Sequence, residues 1–214
     1  MKKAILLLSL ALLMLSGCKW DRVSGSGSAK VEKRSVPAFT KVDISGAYEV
    51  EIVAQKEQSL EIEGDDNLLP LIKTEVRNGV LEIGNEKSIS TKNKLRVRIS
   101  VQQLDGIETS GASNIGATNV KSDDFQIHSS GASELKVSGE AKTLSIDSSG
   151  AGTMDTKDLH AEKVDVHLSG AATAEVYATE ELTASVSGGS NVDYYGNPKN
   201  VKEEKSGAGT IVKR

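Results

Sequence analysis

The stretch HSSGASELKVSGEAKTLSIDSSGAG, residues 128–152, contains Ser-Gly-Ala twice, nineteen residues apart, with apolar residues alternating on either side of each copy. Two readings compete for it: a serine-rich catalytic loop, or one corner of a coil that the chain makes repeatedly. The wider sequence separates them. Ser-Gly recurs at Gly111, Gly131, Gly150, Gly170, Gly188 and Gly207, at intervals of 20, 19, 20, 18 and 19 residues. Self-similarity at such a period marks a solenoid.

Aligning the copies on their glycines shows which positions face inward. Four residues before the glycine stand Ile107, Ile127, Ile146, Val166, Ala184 and finally Glu203; four after it stand Ile115, Leu135, Met154, Ala174, Val192 and Ile211. Apolar residues thus flank each corner with period 2, as half-buried strands require. Each copy is expected to be two short strands and two turns. If the strands lie parallel to their equivalents, about 4.8 Å apart, these columns become continuous ladders. An antiparallel meander would need Asn-Gly or Asp-Gly at each corner, and none of the recurring Ser-Gly corners carries either pair. No single coil buries enough to stand alone, so neighbours must complete one another.

Upstream, KVDISG, YEVEIVA, SLEIEG, VRNGVLEIG and KLRVRISV also alternate, and Asn78-Gly79 is a type I′ hairpin signal. Between them GDDNLLPLIKTEV predicts one short helix, capped by Asp66 or Asn67, with Pro70 in the tolerated first turn. Asp65 and Asp66 are too few oxygen ligands for a calcium loop. The whole is an all-β solenoid of about 19–20 residues per coil with one short helix in its N-terminal half. Irregular strands occupy 36–101 and regular repeats 102–214. Aromatics are only 3% of the chain, which suits thin layers of small side chains.

The first residues, MKKAILLLSLALLMLSGC, join two lysines to an apolar run from Ala4 to Leu15. That run is shorter than the roughly 20 residues of a membrane-spanning helix and reads as a secretion signal, 1–17, which is removed. Its Leu-Ser-Gly-Cys ending resembles the lipobox of bacterial lipoproteins. By that resemblance Cys18 becomes the first mature residue and is the lipid attachment site, anchoring the protein to a membrane. Lys19 stands where an aspartate would favour inner-membrane retention, which implies the outer membrane. Residues 18–34, with their Ser/Gly tract and no apolar period, are expected to be a flexible tether, and 35–214 the folded domain.

Cys18 is the only cysteine, so a disulfide or thiolate zinc site is excluded from the fold. Loss of Lys2 and Lys3 with the signal takes the formal charge from −4 to −6. An acidic chain with interspersed lysines offers no footprint for nucleic acid.

FTKVDISGAYEVEI, IEGDDNLLPLIKTEVRNGVLEI, the serial SGA copies and the closing YYGNPKNVKEEKSGAG together resemble the GIN-type auto-transporter adhesin head domain, a bacterial envelope family whose members are often lipoproteins. The resemblance runs from about Phe39 to the end. It implies a right-handed parallel β-helix-like fold at the cell surface or facing the periplasm, and carries no catalytic residues or cofactor.

The serines carry no hydrolase motif. No Gly-x-Ser-x-Gly elbow occurs, and Ser133-Glu134-Leu135-Lys136 fits Ser-x-x-Lys without its Ser-Asp-Asn and Lys-Thr-Gly partners. A repeated serine without a repeated base is no set of active sites. Three residues before each glycine stand Glu108, His128, Asp147, His167, Ser185 and Glu204, expected on the outer face. His128, Asp147 and His167 there are a candidate metal or proton-sensing column, against the plainer reading of a solvated face with alternating charge. Tyr194 and Tyr195 are candidate sugar contacts, or else they close the last coil against Pro198. The expected function is a non-enzymatic adhesion, interaction or structural module of the envelope, its partner a glycan or protein. The alternatives are a polysaccharide-acting enzyme on a β-helix, which needs paired carboxylates, and end-to-end self-association through bare strand edges.

Overall fold

The computed structural model describes residues 22–214; the signal segment 1–17 and Cys18 lie outside the described residues. The N-terminal part comprises β1 (Val23–Ser24), β2 (Ala29–Lys33), β3 (Lys41–Ser45), β4 (Glu49–Ala54), β5 (Ser59–Asp65), β6 (Ile72–Arg77), β7 (Val80–Asn85), β8 (Ile89–Ser90) and β9 (Arg96–Val101). The repeats comprise β10 (Gly106–Thr109), β11 (Asn114–Ser129), β12 (Glu134–Ser148), β13 (Thr153–Leu168), β14 (Thr173–Gly188), β15 (Asn191–Tyr195), β16 (Asn200–Gly207) and β17 (Thr210–Lys213). Together they form an all-β solenoid of about five turns.

Parallel pairing runs in register from β10 through β14, so that Ile107, Ile127, Ile146, Val166 and Ala184 form one core-facing ladder, as the glycine alignment predicts. β14 then pairs with both β15 and β16. The coil departs from the expected two strands and two turns. β11 to β14 are 15 or 16 residues long and each wraps a whole coil. They bend where the register slips, as between Ala117 and Val120 in β11. Asn119 makes that bend at φ 60°, a conformation its short polar side chain tolerates, and the ladder resumes at once. The glycine corner is the one true interruption.

At that corner the amide after each glycine donates to the glycine carbonyl one coil below: Ala132 N to Gly111 O at 2.9 Å, and Ala151 N to Gly131 O at 3.0 Å. The peptides therefore stack too closely for a side chain. A Cβ on Gly131 would stand 1.9 Å from the Gly111 carbonyl oxygen, and one on Gly150 1.9 Å from that of Gly131. Neither glycine has positive φ. Close approach of backbone to backbone, rather than a left-handed turn, excludes every other residue here.

The ladder extends further down than the sequence period showed. Gly111 stacks on Gly46, which belongs to Ser45-Gly46-Ala47 between β3 and β4. β3 pairs with β10 and β4 with β11, both parallel. After β4 the chain leaves the coil and makes the layer beneath it, where β7 lies under β3 and β9 under β4. It then passes this first-made layer and resumes at β10. Antiparallel strands finish that end: β6 on β7, through the expected Asn78-Gly79 hairpin, and β2 on β5.

Two expectations are corrected. GDDNLLPLIKTEV holds only a 3-10 turn, Leu69–Leu71, capped at Leu68 without any side-chain bond. Ile72, Thr74 and Val76 alternate toward the core as part of β6, and β-branched residues at period 2 favour the strand that β7 is placed to complete. The tether expected over 18–34 is strand from Val23: β1 pairs with β8, and β2 with β5. Asp65 accounts for this order. Fully buried, it accepts N–H bonds from Gly27, Lys92 and Asn93 and from the Asn93 amide. It thereby ties the Ser/Gly tract to the body of the fold.

Two stability predictions follow from these contacts. Gly131→Ala lowers stability in urea unfolding by about 1–3 kcal/mol, the range of forced overpacking, whereas Gly116→Ala, whose Cβ meets nothing within 4 Å, leaves the midpoint unchanged. For Asp65, burial pushes its carboxyl pKa up, but bonds from Lys92, Asn93 and Gly27 outweigh burial and hold it below the ordinary value. Its contribution is therefore present above the unfolded carboxylate pKa, about 3.9, and is lost as pH falls through the depressed native value. Asp65→Asn lowers the thermal midpoint at neutral pH more than Asp66→Asn does, and the gap closes in acid.

Candidate functional site

Residues that alternate with the core columns face outward, and on the face containing β10 they form the predicted polar column. The register places Glu108, His128, Asp147, His167, Ser185 and Glu204 on successive rungs, and extends the column below Glu108 to Asp43 and Glu82. These last two were not read from the sequence, because β3 and β7 join the stack out of chain order. The signal that would have found Asp43 was Ser45-Gly46-Ala47, two residues after it.

Beside the column runs the corner serine column, and between them lies an open groove of about 430 Å³. Its lining is Glu108, His128, Asp147 and His167 with a run of hydroxyls that includes Ser130, Ser149 and Ser169. His128 Nδ1 stands 3.5 Å from Asp147 Oδ2 across one rung. His167 does not join them. With Asp147 already facing His128, it turns along its own strand, its Nε2 3.2 Å from Asp165 Oδ1. Among the described residues no three His, Cys, Asp or Glu side chains converge to hold a metal ion. Ser133, of the Ser-x-x-Lys match, is buried in the corner; its hydroxyl bonds Thr109 Oγ1 and the Ser113 N–H.

Lower in the column, Glu82, Asp43 and Glu108 stack like charges about 4.8 Å apart. Burial first, then Glu108 and Glu82, push the Asp43 carboxyl pKa above its ordinary value. Glu82 has a cation in Arg77, 3.6 Å away.

The tyrosines separate. Tyr194 faces the core between Val176 and Lys213 and is 8% exposed, which leaves it no surface for a ligand. Tyr195 is on the outer face, in register with Tyr177 and then His160. Tyr177 stacks on His160 at 4.3 Å between ring centroids, so its ring face is spent within the protein. A second groove, about 930 Å³, lies along the opposite corner and includes His160, Asp124, Glu140 and Lys142. Lys142 pairs with Asp123 at 2.7 Å.

Because its native pKa is raised, Asp43 opposes folding once ionised: the stability it allows is full below the unfolded pKa, about 3.9, and falls as pH rises through the native value. Asp43→Asn accordingly raises the thermal midpoint at neutral pH, with no gain below the unfolded pKa.

No protein with a curated function matches the chain. Solved structures match its fold. A "putative adhesin" from Bacteroides fragilis superposes with a TM-score of 0.74 at 21% identity, over 90% of this chain and 100% of that one. A "putative adhesin" from Parabacteroides merdae gives 0.59 at 22%, over 91% and 99%. A "putative lipid binding protein" from Parabacteroides distasonis gives 0.57 at 18%, over 90% and 99%. At these identities the likeness is one of fold. The sequence itself matches, over residues 38–198, the model described as "Putative auto-transporter adhesin, head GIN domain". That span includes the first-made layer, the excursion beneath it and the glycine ladder as far as Gly188, and the chain therefore belongs to this family of adhesin head domains.

Proposed function

We propose that this protein is a non-enzymatic adhesion head of the bacterial envelope, anchored by lipid at Cys18, which meets its ligand along the groove between the His/Asp column and the corner serines. The supporting observation is the groove. It is open and presents on successive rungs a carboxylate or an imidazole beside hydroxyl groups, each rung about 4.8 Å from the next. Half-exposed side chains such as His128 and Asp147 suit hydrogen bonding to an extended hydroxylated ligand, and a glycan chain lying along the axis meets one set of such groups per rung. The coil is taken as right-handed, the hand of about 98% of parallel crossovers.

The signal 1–17 is removed in this reading, and Cys18 carries the acyl chains. Since β1 begins at Val23, five residue steps separate the lipid-bearing cysteine from the fold, a span of at most about 18 Å. The end containing β1 and β2 then faces the membrane, and the later coils project from it. The outer membrane is the proposed location. Family membership supports adhesion; the name of the lipid-binding neighbour finds no counterpart here, as both large grooves are open and lined with charged and polar side chains.

Two measurements test this. Cys18→Ser moves the protein from the membrane to the soluble fraction; membrane retention at normal levels would refute the anchor. On an array of neutral glycans, Ser149→Trp, which fills the groove at an exposed position, lowers binding at least about tenfold, or 1.4 kcal/mol, with unchanged melting. Equal binding by the variant would remove the groove, and release of new reducing ends from those glycans would favour the enzyme.

A further inference from the structure

The ends of a parallel stack present unpaired backbone, which invites another copy to continue the sheet. Both ends of this solenoid carry the same device on an edge strand. At the C-terminal end, β16 continues the core-facing columns of β14, with Glu203 over Ala184 and Lys205 over Val186. Ala184 and Val186 are buried, but their successors are charged. Glu203 and Lys205 pair at 2.7 Å, and Lys205 Nζ reaches the carbonyl of Ile211 in β17. The pair thus lies across the mouth of the last coil.

At the other end β2 is the edge strand on β5. Glu32 stands opposite Ile62, and the Arg34 N–H donates to the Leu60 carbonyl; Leu60 and Ile62 are core residues. Glu32 and Arg34 pair at 2.9 Å. The Arg34 guanidinium crosses to the other side of the coil, donating to the Leu69 carbonyl and to Thr74 Oγ1 of β6. Each terminal strand therefore has a glutamate and a basic residue at two successive core-facing positions.

We infer that these two ion pairs are assembly stops, which prevent a second copy of this chain from stacking on either end. A docking copy would bury the pair between two apolar cores, and charges removed from water are poorly repaid by their mutual attraction. Inward-pointing charge on an edge strand is a recognised device against edge pairing. The side face stays free, so the inference is independent of what the groove binds. The two ends also differ in what their opening would produce. With one end open, each molecule has a single adhesive edge, and pairing of two such edges closes as a dimer. With both open, head-to-tail contacts need not close and growth continues.

Sedimentation velocity on the full chain carrying Cys18→Ser, so that acyl chains add no association, tests this. The chain with both pairs intact sediments as a monomer over about a hundredfold range of concentration. Glu203→Val with Lys205→Val gives a dimer, and adding Glu32→Val with Arg34→Leu gives species that lengthen with concentration. The reversed pair, Glu203→Lys with Lys205→Glu, stays monomeric. Should the apolar variant fail to fold, Glu203→Gln with Lys205→Gln replaces it, with association above that of the intact chain expected. An oligomer with both pairs intact overturns the inference, as does a strictly monomeric variant of either kind that melts cooperatively.

Discussion

At each Ser-Gly corner from Gly111 to Gly207 a backbone amide donates to the carbonyl of the glycine one coil below, and that bond leaves no room for a Cβ between the two peptides. The other regularities depend on it. Because the corner stays in the ladder, the next strand begins at a fixed height and register. Because the register is fixed, equivalent residues stack, and alternation sorts them into core columns and surface columns. A chain with few aromatics can then build a core from Ile, Val, Leu and Ala, each layer needing only to match its neighbours. Later coils use smaller residues at some positions, with Ala174 over Met154 and Ala184 over Val166.

The same stacking that orders the core also places charge outside it. Parallel in-register strands put like positions beside one another, so a carboxylate column repels itself unless it is interrupted. Above Glu108 the interruption is histidine and serine; below it, Glu82, Asp43 and Glu108 are stacked with Arg77 meeting Glu82, and Asp43 resists ionisation. At the two ends an ion pair occupies core-facing positions of the edge strand. One geometry therefore produces the core, the polar face and the closure of the stack.

Much of this was legible in the sequence because period carries register. The spacing of six glycines gave the parallel coils, the inward columns and even Glu203 as the exception at the end of one. Asn78-Gly79 gave its hairpin through purely local chemistry. What escaped was contact made out of chain order. Ser45-Gly46-Ala47 is a true corner, yet the layer inserted between it and Gly111 hides its period. Asp65 reads only as half of an Asp-Asp pair ahead of a short helix, and only the fold shows it gathering Gly27, Lys92 and Asn93. The segment 22–34 has a linker's composition and becomes strand because β5 and β8 supply edges for it. Side-chain partners along the column were also illegible, since whether His167 meets Asp147 or Asp165 depends on rotamers rather than register.

Amide hydrogen exchange at the corners is the most direct measurement of whether the ladder is continuous. The amides of Ala132, Ala151 and Ala171 lie in surface turns, where exchange is ordinarily fast, but each is bonded to the coil below. They are predicted to be protected to the same degree as those of the neighbouring strands and to open together with them in one cooperative unit. Corner amides that exchange at loop rates while the strands remain protected would contradict the account.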